Sequence, residues 1–452
     1  MTVNGSVSHW LAQLGPQPQR RPALPGDRTV DVCVVGAGFT GLWTAYYLSR
    51  ADPALRIVVL EAEFAGFGAS GRNGGWLAGL LPGSARRWAK LHGAGPVRQL
   101  QAAVNETVDE VIAVAARESI DADIVKGGVL EIARTPAQEQ RLRLHAAEDP
   151  DTRLLTSAEQ VDRIRLTKCL AAAWNPHGAR VQPAKLVRGL ADAVERHGVT
   201  IHEDTVVTRI SPGLVTTPHG TVTAPIVLRA TEGFTTRLPG YRRDWLPMNS
   251  SMIVTEPLDE ASWTEIGWHG AETLGDAAHG YIYAQRTADG RIAIGGRGIP
   301  YRYGSRFDDS GHTSPATINA LRKTLADLFP PTRGIDIAHA WSGVLAVPRD
   351  WCATVELDHA SGLGLAGGYT GHGVAASNLA GRTLADLVLH RETPLTRLPW
   401  VAHRTKTWEP EPLRWLGVRG LYLAYRLADR HESAGGRTSP IARAADFIAR
   451  RP

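Results

Sequence analysis

"TVDVCVVGAGFTGLWTAYYLSRADPALRIVVLE", residues 29–61, is the stretch that decides the fold. Val30 to Val35 is a short, largely β-branched apolar run, the pattern of a buried parallel strand. Gly36-Ala37-Gly38-Phe39-Thr40-Gly41 follows as a G-x-G-x-x-G that opens a helical segment through Leu48, and a second buried run, Ile57 to Leu60, ends on Glu61. Strand, glycine turn, helix, strand and an acid about 20 residues past the last glycine make up the dinucleotide-binding unit. Gly36 permits the tight turn. Gly38, with Phe39 and Thr40 beside it, lets a pyrophosphate approach the helix N-terminus, and Gly41 brings helix and strand close. Glu61, with Ala62 next to it, accepts from a ribose diol and repels a 2′-phosphate.

The fingerprint alone does not separate FAD from NAD. Three other stretches do. The first is "GFGASGRNGGWLAG", residues 66–79, with six glycines in fourteen residues. Glycine loses more conformational freedom on folding than any other residue, so such a run calls for something flat or anionic close to bare backbone. Gly68, Ala69, Ser70, Arg72, Asn73, Gly74, Gly75 and Trp76 are the expected contacts, with Ser70 and Arg72 holding phosphate and ring edge and Gly74 and Gly75 leaving room for a flavin ring. The second is residues 181–233, a helical period, a strand containing Val207, and a strand that runs into the turn Ala230-Thr231-Glu232-Gly233. The third is "GLGLAGGYTGHGVAASNLAGRTLADLVL", residues 362–389, a strand, a glycine loop and a long helix starting near His372 or Gly373. A helix N-terminus there, with Gly368, Gly371, His372, Gly373 and Val374, would stabilise negative charge on a reduced flavin.

In these segments and their spacing the chain resembles the D-amino-acid oxidase family of FAD-dependent amine oxidoreductases over nearly all its length up to about residue 392, and "FGASGRNGG" looks most like the γ-glutamylputrescine oxidase subgroup. The resemblance implies an α/β (α+β overall) fold. A Rossmann-like FAD-binding domain (29–84, 176–236 and 338–392) would carry an inserted antiparallel-sheet substrate domain (85–175 and 237–337), with an N-terminal arm (1–28) and a helical C-terminal extension (393–452). It also implies oxidation of an amine or amino acid by hydride transfer to flavin, with O2 as the oxidant. "HGYIYAQRTADGRIAIGGRG" reads as a hairpin around Asp289-Gly290.

The expected catalytic residues are His372 at the ring, Trp76 over the flavin face, and Tyr283 and Arg297 on the hairpin, with Tyr281 and Trp341 as further wall candidates. The alternatives are that Trp76 packs beneath its loop and that His372 makes only a local hydrogen bond. The sarcosine-oxidase branch follows its G-H-G with an aromatic and a carboxylate-binding lysine; here Val374 and Ala375 follow. That branch attaches flavin through a cysteine at a position held here by Ser342, so non-covalent FAD is expected. "GDAAH", residues 275–279, resembles a flavin signature of aromatic-ring hydroxylases but runs straight into the hairpin, and is read as a turn before a strand. It leaves an NAD(P)H-dependent flavin monooxygenase as a competing reading, beside an amine dehydrogenase passing electrons to a quinone and a flavin-binding subunit without turnover.

At 452 residues with 43% apolar and 21% charged content, the chain is long enough for two or three domains. The formal charge is +5, and only six of the basic residues are lysines (Lys90, Lys126, Lys168, Lys185, Lys323 and Lys406), with no basic stripe to suggest nucleic acid. Cys33, Cys169 and Cys352 are far apart, so neither a disulfide framework nor a zinc site is expected, and no metal is assigned. The start of the chain does not read as a signal peptide and no stretch reaches the ~18 apolar residues of a spanning helix, so a cytoplasmic protein without membrane contact is expected. Residues 408–432 read as an amphipathic helix broken at Gly417 and Gly420, with Ser439-Pro440 starting a last helix over 441–450. This segment is expected to dock on the protein's own FAD domain or on a second subunit, as in a homodimer, with a peripheral membrane face as the alternative.

Overall fold

Val32–Val35 and Ile57–Leu60 are buried on both faces, which is why they read as unbroken apolar runs. They form the middle of a six-stranded sheet in the order Thr200–His202, Ile57–Leu60, Val32–Val35, Ile226–Arg229, Leu363–Gly367, Thr354–Asp358. The first five strands run parallel and the last is antiparallel to its neighbour. The structure is a computed structural model that describes residues 2–15, 20–296, 300–435 and 438–449. Val32, Val34, Ile57 and Val59 face a large core shared with Phe39, Leu42 and Trp43 of the helix Phe39–Ala51. Cys33, Val35, Val58 and Leu60 face a second core beneath a four-stranded layer that includes Leu214–Thr217 and Gly220–Thr223. Helix Ala94–Arg117, expected in the substrate insert, packs Leu100, Val104, Val108 and Val111 into the large core of the nucleotide-binding half.

A nine-stranded sheet forms the other half, in the order Val3–Asn4, Ile337–Pro348, Trp245–Thr255, Ile292–Gly296, Tyr283–Arg286, Thr273–Asp276, Val129–Ala133, Ala171–Asn175, Arg153–Leu154. It is mostly antiparallel, with parallel pairings at Val3–Asn4 against Ile337–Pro348 and at Thr273–Asp276 against Val129–Ala133. Ile337–Pro348, expected to open the third piece of the FAD domain, pairs with Trp245–Thr255 along nearly its whole length and so belongs to this sheet. The hairpin read around Asp289-Gly290 is present as Tyr283–Arg286 against Ile292–Gly296.

At the C-terminus the helix Leu413–Ser433 runs unbroken through Gly417 and Gly420, followed by Pro440–Ala449. Its inner face supplies enough buried contact to outweigh the helix cost of two glycines, roughly 1 kcal/mol each. Trp408 and Val418 pack against Leu246, Met248, Tyr301 and Val347. The helical part of the extension therefore docks on the nine-stranded sheet, while Leu398 and Trp400 at its start pack into the nucleotide-binding core. No helix among the described residues is long and apolar enough to cross a membrane.

Candidate active site

The chain turns at Gly36 with φ +108°, and a Cβ there would stand 2.6 Å from the Ala230 carbonyl oxygen; one on Gly41 would stand 1.9 Å from the Gly36 carbonyl oxygen. The turn, the strand end at Ala230 and the first turn of helix Phe39–Ala51 are thus held at backbone contact, as the fingerprint requires. That helix starts at Gly38 with no side-chain cap on its N-cap residue and no acid in its first turn. Its N–H groups and dipole favour an anion. Ser70 Oγ accepts from the Phe39 N–H at 2.8 Å, which ties the glycine-rich loop to the helix end. At the second strand end, Glu61 accepts from the Ala37 and Glu63 N–H groups at 2.8 and 3.0 Å. Burial pushes its carboxyl up to about 7 against those two donors. The loop carrying Val207 is anchored to Glu61 through the Thr205 N–H, and Val207 is half-buried on the second core. Ala62 is exposed. Thr231 Oγ1 bonds to Thr235 Oγ1, and Gly233 packs against Val344.

The glycine-rich loop is crowded mainly by protein. A Cβ on Gly68 would meet Phe234 at 3.1 Å, and one on Gly74 the Tyr283 ring at 2.7 Å. Gly75, at φ +68°, would place a Cβ 2.3 Å from the Val181 carbonyl oxygen. The side chains of Phe234 and Tyr283 and the Val181 carbonyl thus also hold these glycines to bare backbone. Asn73 locks the loop by donating to the Ala69 and Ser70 carbonyls and accepting from the Gly75 N–H. Arg72, expected to hold phosphate, is buried and donates to the carbonyls of Phe67, Asp309 and Ser342, fastening the loop to the nine-stranded half.

Between the two halves lies a cavity of about 520 Å³. Phe39, Thr40, Ala69, Ser70, Arg72, Asn73, Gly74 and Trp76 reach it from one side, and Gly371, His372, Gly373 and Val374 from another. Gly36, Gly38, Gly41, Glu61, Ala62, Gly68, Gly75, Val207, Ala230, Thr231, Gly233 and Gly368 stand outside its lining, around the turn, strand ends and loops behind it. Helix Gly373–Val388 starts there, again without an acid in its first turn. Tyr369 Oη and Thr40 Oγ1, 3.0 Å apart, join the starts of the two helices. His372 Nδ1 lies 3.0 Å from the Leu81 carbonyl oxygen and must donate to it, so the neutral ring presents Nε2 as an acceptor. The local bond and a place at the cavity coexist in this residue.

Glu232 is a cavity residue that sequence reading passed over as part of a small-residue turn. Its carboxylate accepts from the N–H groups of Ala346, Gly368 and Tyr369 at 2.7, 2.8 and 3.3 Å, joining the nine-stranded sheet to the third glycine segment. Burial pushes it up to about 7.

The remaining wall comes from the nine-stranded half. Trp76 donates to the Ala284 carbonyl at 3.1 Å and stands edge-on to Tyr283, whose hydroxyl is 2.8 Å from Ser250 Oγ. Arg297 lies outside the described residues. Trp341 is fully buried behind the wall and donates to the Arg72 carbonyl, so it is not a lining residue. "GDAAH" is a strand end and turn as read, but all five of its residues line the cavity. Beyond it, Arg141 donates to both oxygens of Glu432, at 3.1 and 2.8 Å, with His279 Nε2 also 3.1 Å from that carboxylate. Asp446, in the last helix, lines the cavity and accepts from Tyr425. Apart from His279 in "GDAAH", no sequence motif marks this group, because its members are drawn from three distant segments. Among the described residues, Asp350–Cys352–His403 and His279–Asp429–Glu432 have the reach of a metal site, but Arg87 and Arg141 already pair with a carboxylate in each.

A carboxylate for a ribose diol, an acid-free helix start for a pyrophosphate and a second such helix start at a cavity fit an extended FAD, and the class these features define is the FAD-dependent oxidoreductases. The profile of the FAD dependent oxidoreductase (DAO) family matches residues 31–387, and the chain belongs to that family. Gamma-glutamylputrescine oxidoreductase of Escherichia coli is 30% identical over 371 residues, covering 80% of this chain and 84% of the relative. A probable oxidoreductase, OrdL, of Rhizobium meliloti is 28% identical over 408 residues, covering 86% and 90%. The crystal structure of glycine oxidase from Geobacillus kaustophilus shares the fold with a TM-score of 0.70 at 22% identity, covering 84% of this chain and 100% of that one.

Proposed function

We propose that the protein oxidises the C–N bond of a small amine or amino acid, with the resulting imine hydrolysed and O2 as the final oxidant. When bound, FAD supplies the two-electron acceptor for the hydride. Glu61 holds the ribose, the Gly38–Thr40 helix start holds the pyrophosphate, and the start of helix Gly373–Val388 stabilises negative charge at the ring. Trp76 and Tyr283 exclude water and orient the amine. His372, an acceptor at Nε2, takes the proton of an incoming ammonium so that the nitrogen lone pair can assist hydride loss. Non-covalent attachment is supported by Ser342, buried with its hydroxyl donating to the His312 carbonyl, and by the cysteines: Cys33, Cys169 and Cys352 all lie outside the cavity lining.

The observation that carries this reading is the convergence of both helix starts and the glycine-rich loop on one cavity. A second reading, a dehydrogenase handing electrons to a quinone, is favoured by the absence of any lysine from the described cavity lining. An anaerobic titration of the yellow holoenzyme with polyamines, D- and L-amino acids and N-methyl amines, with NADH and NADPH as controls, tests both. One amine class bleaches the visible flavin band and the nicotinamides do not; bleaching by NADPH alone would overturn the proposal. Colour returning promptly on admitting O2 identifies an oxidase, and return only with a soluble quinone identifies a dehydrogenase.

A further inference from the structure

Helix Leu413–Ser433 turns one side inward and presents an apolar stripe on the other. Leu413, Leu416, Leu423 and Leu427 are between 44% and 61% exposed. At 3.6 residues per turn they fall on one line along the helix. Gly417 and Gly420 lie beside them, and a Cβ on either would meet nothing within 4 Å, so the leucines project from a bare helix surface. Arg419, Arg426 and Arg430 follow one edge of the stripe and are exposed. The helix has two acids, and both face inward: Asp429 accepts from the His279 and Gly280 N–H groups, and Glu432 is buried against Arg141. The outer side is therefore apolar with a purely cationic edge.

We infer that this side docks the protein on the surface of an anionic phospholipid membrane, the leucines entering between headgroups and the guanidinium groups meeting phosphates. This takes up the alternative of a peripheral membrane face, against the expectation of no membrane contact. A second copy of the chain fits less well, because an antiparallel two-fold pairing of these helices sets the arginine row against itself.

The test is co-sedimentation of full-length holoenzyme with vesicles of phosphatidylcholine containing phosphatidylglycerol, and with vesicles of phosphatidylcholine alone. The protein is expected to sediment with the first, to do so less at high salt, and to stay in solution with the second. The double variant Leu416→Glu/Leu423→Glu is expected to remain in the supernatant with its flavin bound. Arg419→Gln/Arg430→Gln, which leaves the stripe intact, is expected to weaken partitioning about fivefold per arginine. Failure of the wild-type protein to sediment with anionic vesicles overturns the inference, as does sedimentation of the Leu→Glu variant at the wild-type level. If Leu416→Glu/Leu423→Glu loses its flavin or its fold, the arginine variant decides: unchanged partitioning overturns the proposal. A dimer in gel filtration that the Leu→Glu variant dissolves, without vesicle binding, assigns the stripe to a second copy instead.

Discussion

Glu61 and Glu232 are acids that burial pushes up to about 7 even though each accepts backbone N–H groups. A carboxyl whose folded value lies above its ordinary 4.5 binds its proton more tightly in the native chain than in the unfolded one. The cofactor-free protein therefore loses stability as pH rises from 4.5 to about 7, and the loss is complete above that. If FAD binds as proposed, with its ribose on Glu61, the balance there reverses, because ribose hydroxyls donate to the ionised form and favour it. FAD affinity is expected to rise with pH up to about 7 and then level off, with a proton released on binding below that value. Calorimetric titrations of the cofactor-free protein across this range, in buffers of different ionisation heat, measure both quantities. Glu61→Gln should weaken FAD binding about tenfold and flatten its pH dependence; an equally steep profile in the variant would place the titrating group elsewhere.

Glycines separate what a linear pattern can reveal from what it cannot. Gly36 and Gly41 were legible because their neighbours lie within the same strand–turn–helix unit, and the structure returns the turn and close contact that their spacing required. The glycine-rich loop was legible as a loop, but its packing against Val181, Phe234 and Tyr283 was not, since these lie more than a hundred residues onward. Gly417 and Gly420 read as helix breakers and are not, because the inner face of their helix is held by Leu246, Met248 and Val347 from another part of the chain. Glu232 and Glu432 escaped notice for the same reason: their partners Ala346 and Arg141 are brought to them only by tertiary folding. Opposite outcomes are expected for the same substitution at two glycines. Gly75→Ala adds a Cβ 2.3 Å from a carbonyl oxygen at positive φ, and should cost about 3 kcal/mol or more and release FAD. Gly417→Ala meets open space inside a helix, and should stabilise the extension by about 1 kcal/mol. Thermal melts and hydrogen exchange over residues 413–433 measure both, and a neutral Gly75→Ala would mean that the loop relaxes away from Val181.

The C-terminal extension lies beyond residue 387, where the family profile ends, yet it closes the cavity through Asp446 and is latched by Glu432. Glu432 accepts from Arg141 and from the Ser439 N–H that starts the last helix, so one carboxylate holds both helices to the strand-and-turn wall bearing His279. Burial alone would raise its carboxyl, but Arg141, Ser439 and His279 outweigh burial and hold it below the ordinary 4.5. A group with a depressed folded value adds stability above its unfolded one and loses it as pH falls through the folded value. The latch is therefore expected to be closed at neutral pH and to open only below about 4.5. Glu432→Gln removes the charge at neutral pH and leaves Arg141 facing the cavity without its carboxylate, a change that costs about 3–5 kcal/mol for a buried pair. That cost is expected to appear first as faster hydrogen exchange in residues 413–449, with Trp245–Thr255 and Ile337–Pro348 unchanged. For the amine that reduces the flavin, KM should rise more than kcat falls, since Glu432 shapes the far wall and touches no reacting atom. Exchange that speeds up equally in both sheets would show that the extension is part of the cooperative core, and a fall in kcat at constant KM would place Glu432 in the chemistry.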